Sequence, residues 1–138
     1  MNEAELFDLL KLRLITDLEY SEGRMSKYDC YSIAFNADIE LKCRKTHYDD
    51  LVIERIKWDA LIERANKFST IPVYINYTPA GLWSFKLLEL PVPEWSMRRM
   101  PKSTEFSNRS MIQKEVGYLT STQHPKLNPS PPRRAVLR

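Results

Sequence analysis

The chain is poor in the residues that staple or ligate. Its 138 residues include only two cysteines and two histidines. Cys30 and Cys43 are too few for a disulfide framework or a metal knuckle. His47 and His124 stand far apart, which argues against a zinc site. No stretch approaches the roughly 18 apolar residues needed to span a bilayer, so no membrane partner is expected, and no internal repeat is present. The opening Met1-Asn2-Glu3-Ala4-Glu5 is acidic, unlike a secretory signal. A soluble, reducing, cytoplasmic setting is expected. Net charge is only +3, so the whole-molecule field says little about a polyanionic partner.

What is present suits a single domain. The apolar share, 43%, is ordinary and the charged share, 28%, slightly high. The charge is unevenly spread. Arg98, Arg99, Lys102, Arg109, Lys114, Lys126, Arg133, Arg134 and Arg138 face only Glu105 and Glu115, whereas residues 1–97 are slightly acidic. Such asymmetry suggests a basic arm near a phosphate backbone, with a solvated tail as the equal alternative.

Asn2 is placed to cap a first helix over about residues 3–17, with Leu6, Leu9, Leu10, Leu14 and Leu18 at helical spacing. Ser21-Glu22-Gly23-Arg24 reads as a turn. Tyr28 to Ala34 and Asp38 to Arg44 read as a β-hairpin joined through Phe35-Asn36-Ala37. A helix is expected over about 49–68, with the stripe Val52, Ile56, Leu61, Ile62, Ala65 and Phe68. Pro72 lies just beyond its end. Ile71–Tyr77 and Leu82–Leu90 form a second expected hairpin around Thr78-Pro79-Ala80-Gly81. Pro91, Pro93 and Pro101 then argue against long regular elements, with one short helix in 107–119. The expected division is a domain over 1–121, with its core at 3–90 and an extension at 91–121. A disordered, basic, Pro-rich tail follows over 122–138. Pro-Ser-Pro-Pro-Arg-Arg in that tail resembles a polyproline ligand, but an inert tail is the favoured reading. The element order predicts an α/β or α+β layer domain, a mixed sheet flanked by helices.

The first hairpin carries the chemistry. A turn centred between Phe35 and Asn36 sets Asp29 opposite Lys42 and Tyr31 opposite Glu40. Directly opposed residues share a face, so Asp29, Glu40 and Lys42 converge while Ile39, Leu41 and Cys43 face the core. A whole-residue move of the centre keeps that parity, and a half-residue move destroys it. Two close carboxylates need a cation between them, and Mg²⁺ takes oxygen ligands while keeping several waters. Such a site suits metal-assisted attack of water on a phosphodiester. The tripeptide alone is weak: with 11 Glu and 10 Lys in the chain, chance supplies about one Glu-x-Lys. A charged solvent face is the bland alternative.

Asp29…Glu40-Leu41-Lys42 resembles the signature of the PD-(D/E)xK nuclease superfamily, which includes restriction endonucleases and archaeal Holliday junction resolvases. The resemblance covers about residues 3–78, and its texture is similar to resolvase-like and phage-encoded members. Tyr28 stands at the Pro position of the signature. The resemblance implies a restriction-endonuclease-like fold and DNA as substrate. It also implies Mg²⁺ or Mn²⁺ held by Asp29, Glu40 and the Leu41 backbone carbonyl, with Lys42 and Lys57 as further catalytic groups. It leaves open whether Glu3 or Glu5 supplies a first-helix carboxylate. A phage origin would place the protein in a bacterial host cell. Arg44, Lys45, Arg98, Arg99 and Lys102 are candidate phosphate contacts, and cutting two strands with one small site favours a homodimer. His47 is a candidate base or a plain loop residue. Glu54 and Lys57, three apart, are either site residues or an intrahelical pair. Tyr48, Tyr74 and Tyr77 are either base-stacking or sheet-packing residues, and Trp58, Trp83 and Trp95 are expected as core or cap residues. An inactive nuclease-like binding module is the competing function, and a tail-centred accessory role is a third.

Overall fold

A computed structural model describes residues 1–21, 29–102, 110–121 and 126–127. All but Ser21 of the turn expected at 21–24, and most of the expected tail, lie outside the described residues.

Asn2 caps the first helix, α1 (Glu3–Arg13), by accepting from the Glu5 amide at 2.8 Å. The helix stops a turn earlier than its leucine spacing suggests. Asp17 is drawn into the neighbouring turn, where it accepts from the Ser32 hydroxyl at 2.6 Å and the Ala34 amide at 2.8 Å. Those bonds, led by Ser32, hold its carboxyl below the ordinary value. Leu6, Phe7 and Leu10 are buried, and Leu18 joins the same core from beyond the helix end.

Three strands follow: β1 (Glu19–Tyr20), β2 (Asp29–Ser32) and β3 (Ala37–Cys43). The β2–β3 turn occupies Ile33 to Asn36, and Asn36 takes the left-handed conformation at φ 50°, which asparagine tolerates. The turn centre is therefore one residue earlier than expected, and the register shifts by two. Asp29 faces Glu40, not Lys42, and Tyr31 faces Asp38.

The expected helix at 49–68 divides in two. Its first part is strand β4 (Asp50–Glu54) and the remainder is α2 (Arg55–Phe68). Leu51 and Ile53 are buried at alternate positions, as a one-sided strand requires. The buried face of α2 is Trp58, Leu61 and Ala65, while Ile56 and Phe68 of the expected stripe are exposed. Ser69, left-handed at φ 54°, ends the helix before Pro72 is reached.

Next come β5 (Ile71–Thr78) and β6 (Gly81–Lys86), with a 3₁₀ turn at Leu87–Glu89 where continuous strand was expected. The region beyond Pro91 is more regular than its prolines imply. It holds β7 (Ser96–Pro101) and the ten-residue β8 (Met111–Thr120), the latter replacing the expected helix at 107–119. Within the expected tail, β9 (Lys126–Leu127) pairs with β6.

Among the described residues these strands make a six-stranded sheet, β1-β2-β3-β5-β6-β9, and a three-stranded sheet, β4-β8-β7. The β3–β5 pair is parallel, bridged by β4 and α2, and the remaining pairs are antiparallel. The architecture is mixed α+β, as expected. Helix α1 packs on one face of the large sheet through Leu6, Leu10, Ile39, Leu41, Val73 and Ile75. Helix α2 and the small sheet cover the other face through Ile53, Trp58, Leu61, Tyr74, Trp83 and Phe85. No helix among the described residues is long and apolar enough to cross a membrane.

Gly117 lies where β8 passes under the Pro93–Trp95 segment. A Cβ there would meet Pro93 Cβ at 2.4 Å and the Trp95 ring at 3.0 Å. Gly117→Ala is expected to lower stability by about 1–3 kcal/mol through overpacking, read as a shift of the urea midpoint.

Candidate active site

Strand alternation decides which side chains meet. On β3, Ile39 and Leu41 enter the α1 core, so Asp38, Glu40 and Lys42 point to the α2 side. Direct pairing brings Asp29 to the same face as Glu40. The three residues singled out by the sequence therefore share one face. Leu41 itself is buried among the apolar groups behind them.

Helix α2 runs over this face. Lys57, near its start, lies with its Nζ 3.3 Å from Glu40 Oε1. Two turns later Arg64 Nε donates to Asp38 Oδ1 at 3.1 Å, and the Thr70 hydroxyl donates to Asp38 Oδ2. Both carboxylates are only 5% exposed, so each needs a cation, and α2 supplies one per carboxylate. Asp29, Glu40, Lys57 and Leu61 line an open cleft of about 260 Å³ between β2, β3 and α2. The Asp38–Arg64 pair at its far end was not anticipated. Its signal was the alternation Asp38-x-Glu40-x-Lys42, matched by Lys57 and Arg64 seven apart on one helix face.

Lys42 is half-buried. Burial, then the neighbouring Arg44 guanidinium and the Lys57 ammonium, pull its pKa below the ordinary lysine value, while Glu3 and Glu54 act in the opposite direction. The geometry also separates the two first-helix candidates. Glu3 accepts from the Cys43 amide at 3.4 Å, at the end of the motif strand, whereas Glu5 is exposed. The two thiols are chemically quiet. Burial, reinforced by Asp29 and Asp38, pushes Cys30 up to about 12, and burial with Glu3 does the same to Cys43.

Other candidates have different occupations. The Arg44 guanidinium is tied inside the protein to Asn76, Tyr74 and the Val52 carbonyl. Lys45 is exposed at the end of β3. His47 bonds Thr78 through Nδ1 at 2.9 Å and stacks on Trp83, at 4.8 Å between ring centroids. Glu54 closes β4 and pairs with Lys114 of β8 at 2.6 Å, not with Lys57. Tyr74 is buried in the sheet and Tyr48 exposed. Arg98, Arg99 and Lys102 lie exposed along and just beyond β7.

Asp29 and Glu40, paired directly across β2 and β3, would offer two hard oxygen donors to an ion such as Mg²⁺, which needs few protein ligands because it keeps its waters. No group of three or more His, Cys, Asp or Glu among the described residues gathers closely enough for a protein-only cage. The donor set thus fits a hydrated ion with two carboxylates, and not a closed structural metal.

No protein-family model matches the chain, and no curated protein matches it. Among solved structures, it is similar to Hjc from the archaeal hyperthermophile Archaeoglobus fulgidus, a Holliday junction resolvase. The TM-score is 0.52 at 15% identity, over 89% of this chain and 90% of that one. The chain has a resolvase-like fold.

Proposed function

We propose that this protein is a metal-dependent nuclease that hydrolyses phosphodiester bonds in DNA. The observation that carries the reading is the direct cross-strand pairing of Asp29 with Glu40 in the cleft under α2, within a fold similar to a resolvase. Asp29 and Glu40 would hold Mg²⁺ or Mn²⁺, with the Leu41 carbonyl as a further oxygen. The bound ion would lower the pKa of a water and offset charge on the phosphoryl oxygens. Lys42 places an ammonium two residues from Glu40 on the same face, where it offsets charge growing on the scissile phosphate. Lys57 holds the Glu40 carboxylate in place and limits its repulsion from Asp29. A homodimer would bring two such clefts to one duplex or junction.

The expected result is nicking or cutting of supercoiled or branched DNA with Mg²⁺, abolished by chelator and restored by added metal. Persistent cleavage in excess chelator would overturn the metal-dependent reading.

A second reading has one observation in its favour. Lys57 already neutralises Glu40, and no larger ligand cluster surrounds it among the described residues. The chain would then be an inactive nuclease-like module that binds DNA or protein. Calorimetric titration with Mn²⁺ separates the two: saturable binding that Asp29→Asn weakens supports the nuclease, and its absence supports the module.

A further inference from the structure

β8 changes character along its length. From Val116 onward it pairs with β4, and at Val116 alone it has both β4 and β7 beside it. Before Val116 it pairs with β7 alone, from Met97↔Glu115 to Pro101↔Met111. In that two-stranded part both faces are open. Every residue of β7 is exposed except half-buried Met100, and residues 111–115 are exposed except Lys114. The ribbon therefore leaves the packed body by about five residue pairs, roughly 17 Å. An isolated two-stranded hairpin is marginal in water, so a ribbon exposed on both faces is built to meet something else.

Its charge indicates what. Arg98 and Lys114, both cationic, stand directly opposite one another, an arrangement that is costly without an anion nearby. Lys114 is satisfied at the ribbon's base by Glu54. Arg98 finds only the neutral Tyr118 hydroxyl, at 3.0 Å. Among the described residues Arg98, Arg99 and Lys102 have no carboxylate partner, whereas Lys57, Arg64 and Lys114 each have one and Arg55 has two. Arg98 and Arg99 are consecutive and so project from opposite faces of the ribbon. A flat protein surface engages one face of a ribbon, while a groove encloses both. The major groove of duplex DNA admits a two-stranded β-ribbon. The ribbon is also tied to the cleft. Lys114 at its base holds Glu54, whose charge is felt by Lys42.

We infer that the β7–β8 ribbon is an arm that enters a groove of duplex DNA, with Arg98, Arg99 and Lys102 on phosphates and base edges, so that the cleft acts on duplex segments. This rests on the nuclease reading above for its purpose, but its test is one of binding. Labelled duplex of about three helical turns, and one of its strands alone, are titrated by fluorescence anisotropy in chelator, where no cleavage occurs. The parent chain is compared with the Arg98→Gln, Arg99→Gln, Lys102→Gln triple variant, whose changes are all at exposed positions and whose fold is checked by circular dichroism. The variant is expected to bind duplex about 10- to 100-fold more weakly, with a salt slope lower by about 2, and to lose less than about threefold on the single strand. Unchanged duplex affinity, or equal loss on both forms, overturns the inference. So does a change confined to the sedimentation behaviour of the chain, which would make the ribbon an interface between copies. Tight, ribbon-dependent duplex binding without cleavage in Mg²⁺ would sink the nuclease reading and leave the arm standing.

Discussion

Glu40→Gln is expected to reduce Mg²⁺-dependent cleavage by on the order of 10³-fold or more, with the chain still folded. Glutamine keeps the size of the side chain and one carbonyl oxygen within reach of Lys57, so the contact at 3.3 Å survives in weakened form. What disappears is the negative charge in a place only 5% exposed, where water cannot make up for it. The metal would lose one of two carboxylates that face each other across β2 and β3. Single-turnover cleavage of labelled DNA measures the effect, and thermal melting confirms folding. Parental rates in the variant would remove Glu40 from the chemistry and with it the proposed activity. The same assay has a pH signature. Burial lowers the pKa of Lys42 below the ordinary 10.5, with Arg44 contributing next. A group whose charged form is disfavoured gives up its proton earlier as pH rises. If the ammonium offsets charge on the phosphate, activity falls on the alkaline side before an ordinary lysine would titrate. Lys42→Arg should move that limb out of range, because guanidinium does not titrate there.

The face on which the site lies was legible because it depends only on parity. Asp29 and Glu40 sit an odd number of residues apart across a hairpin, and any turn with an even number of linking residues brings them to one side. The turn uses four residues, Ile33 to Asn36. The exact opposition of the two carboxylates was not legible, since the left-handed Asn36 follows no Asn-Gly rule. Strand β4 was hidden for another reason. Leu51, Val52 and Ile53 suit a helix stripe as well as a strand, and the partner that decides is β8, some 65 residues downstream, as in Ile53↔Gly117. No local window contains both. β8 in turn was obscured by the prolines around it, which bound the strands without entering them except at Pro101, the last residue of β7. The roles of Arg44 and Arg64 follow from the same non-local packing: the sequence shows two basic residues near a motif, and only the crossing of α2 and β4 over the sheet separates the cleft-lining one from the buried one.

Arg44→Ala is expected to cost about 1–3 kcal/mol of stability, because it leaves buried polar groups without their hydrogen-bond partner. Arg44 follows directly on β3, and its guanidinium reaches two other strands. Nε donates to Asn76 Oδ1 at 3.2 Å, and Nη2 donates to the Tyr74 hydroxyl at 3.0 Å and to the Val52 carbonyl. Tyr74 adds a bond of its own to that carbonyl, at 3.2 Å. The side chain thus joins β3 to β5 and to β4, which belongs to the other sheet. Asn76 is 0% exposed and its Nδ2 already lacks a partner. Removing Arg44 would strip the oxygen as well, leaving a buried amide with neither end bonded to this network. Burial holds the Tyr74 hydroxyl above its ordinary pKa even with Arg44 beside it, so the ring gives no anion in compensation. Arg44→Lys should recover only part of the loss, because one ammonium cannot reproduce a planar fork that spans three acceptors. The neighbouring, exposed Lys45 is the control: Lys45→Ala should stay within about 0.5 kcal/mol of the parent. Denaturant midpoints measure all three. Equal midpoints for the Arg44 and Lys45 variants would mean that the two sheets are held together by their apolar contact alone, and that the cleft does not depend on the arginine behind it.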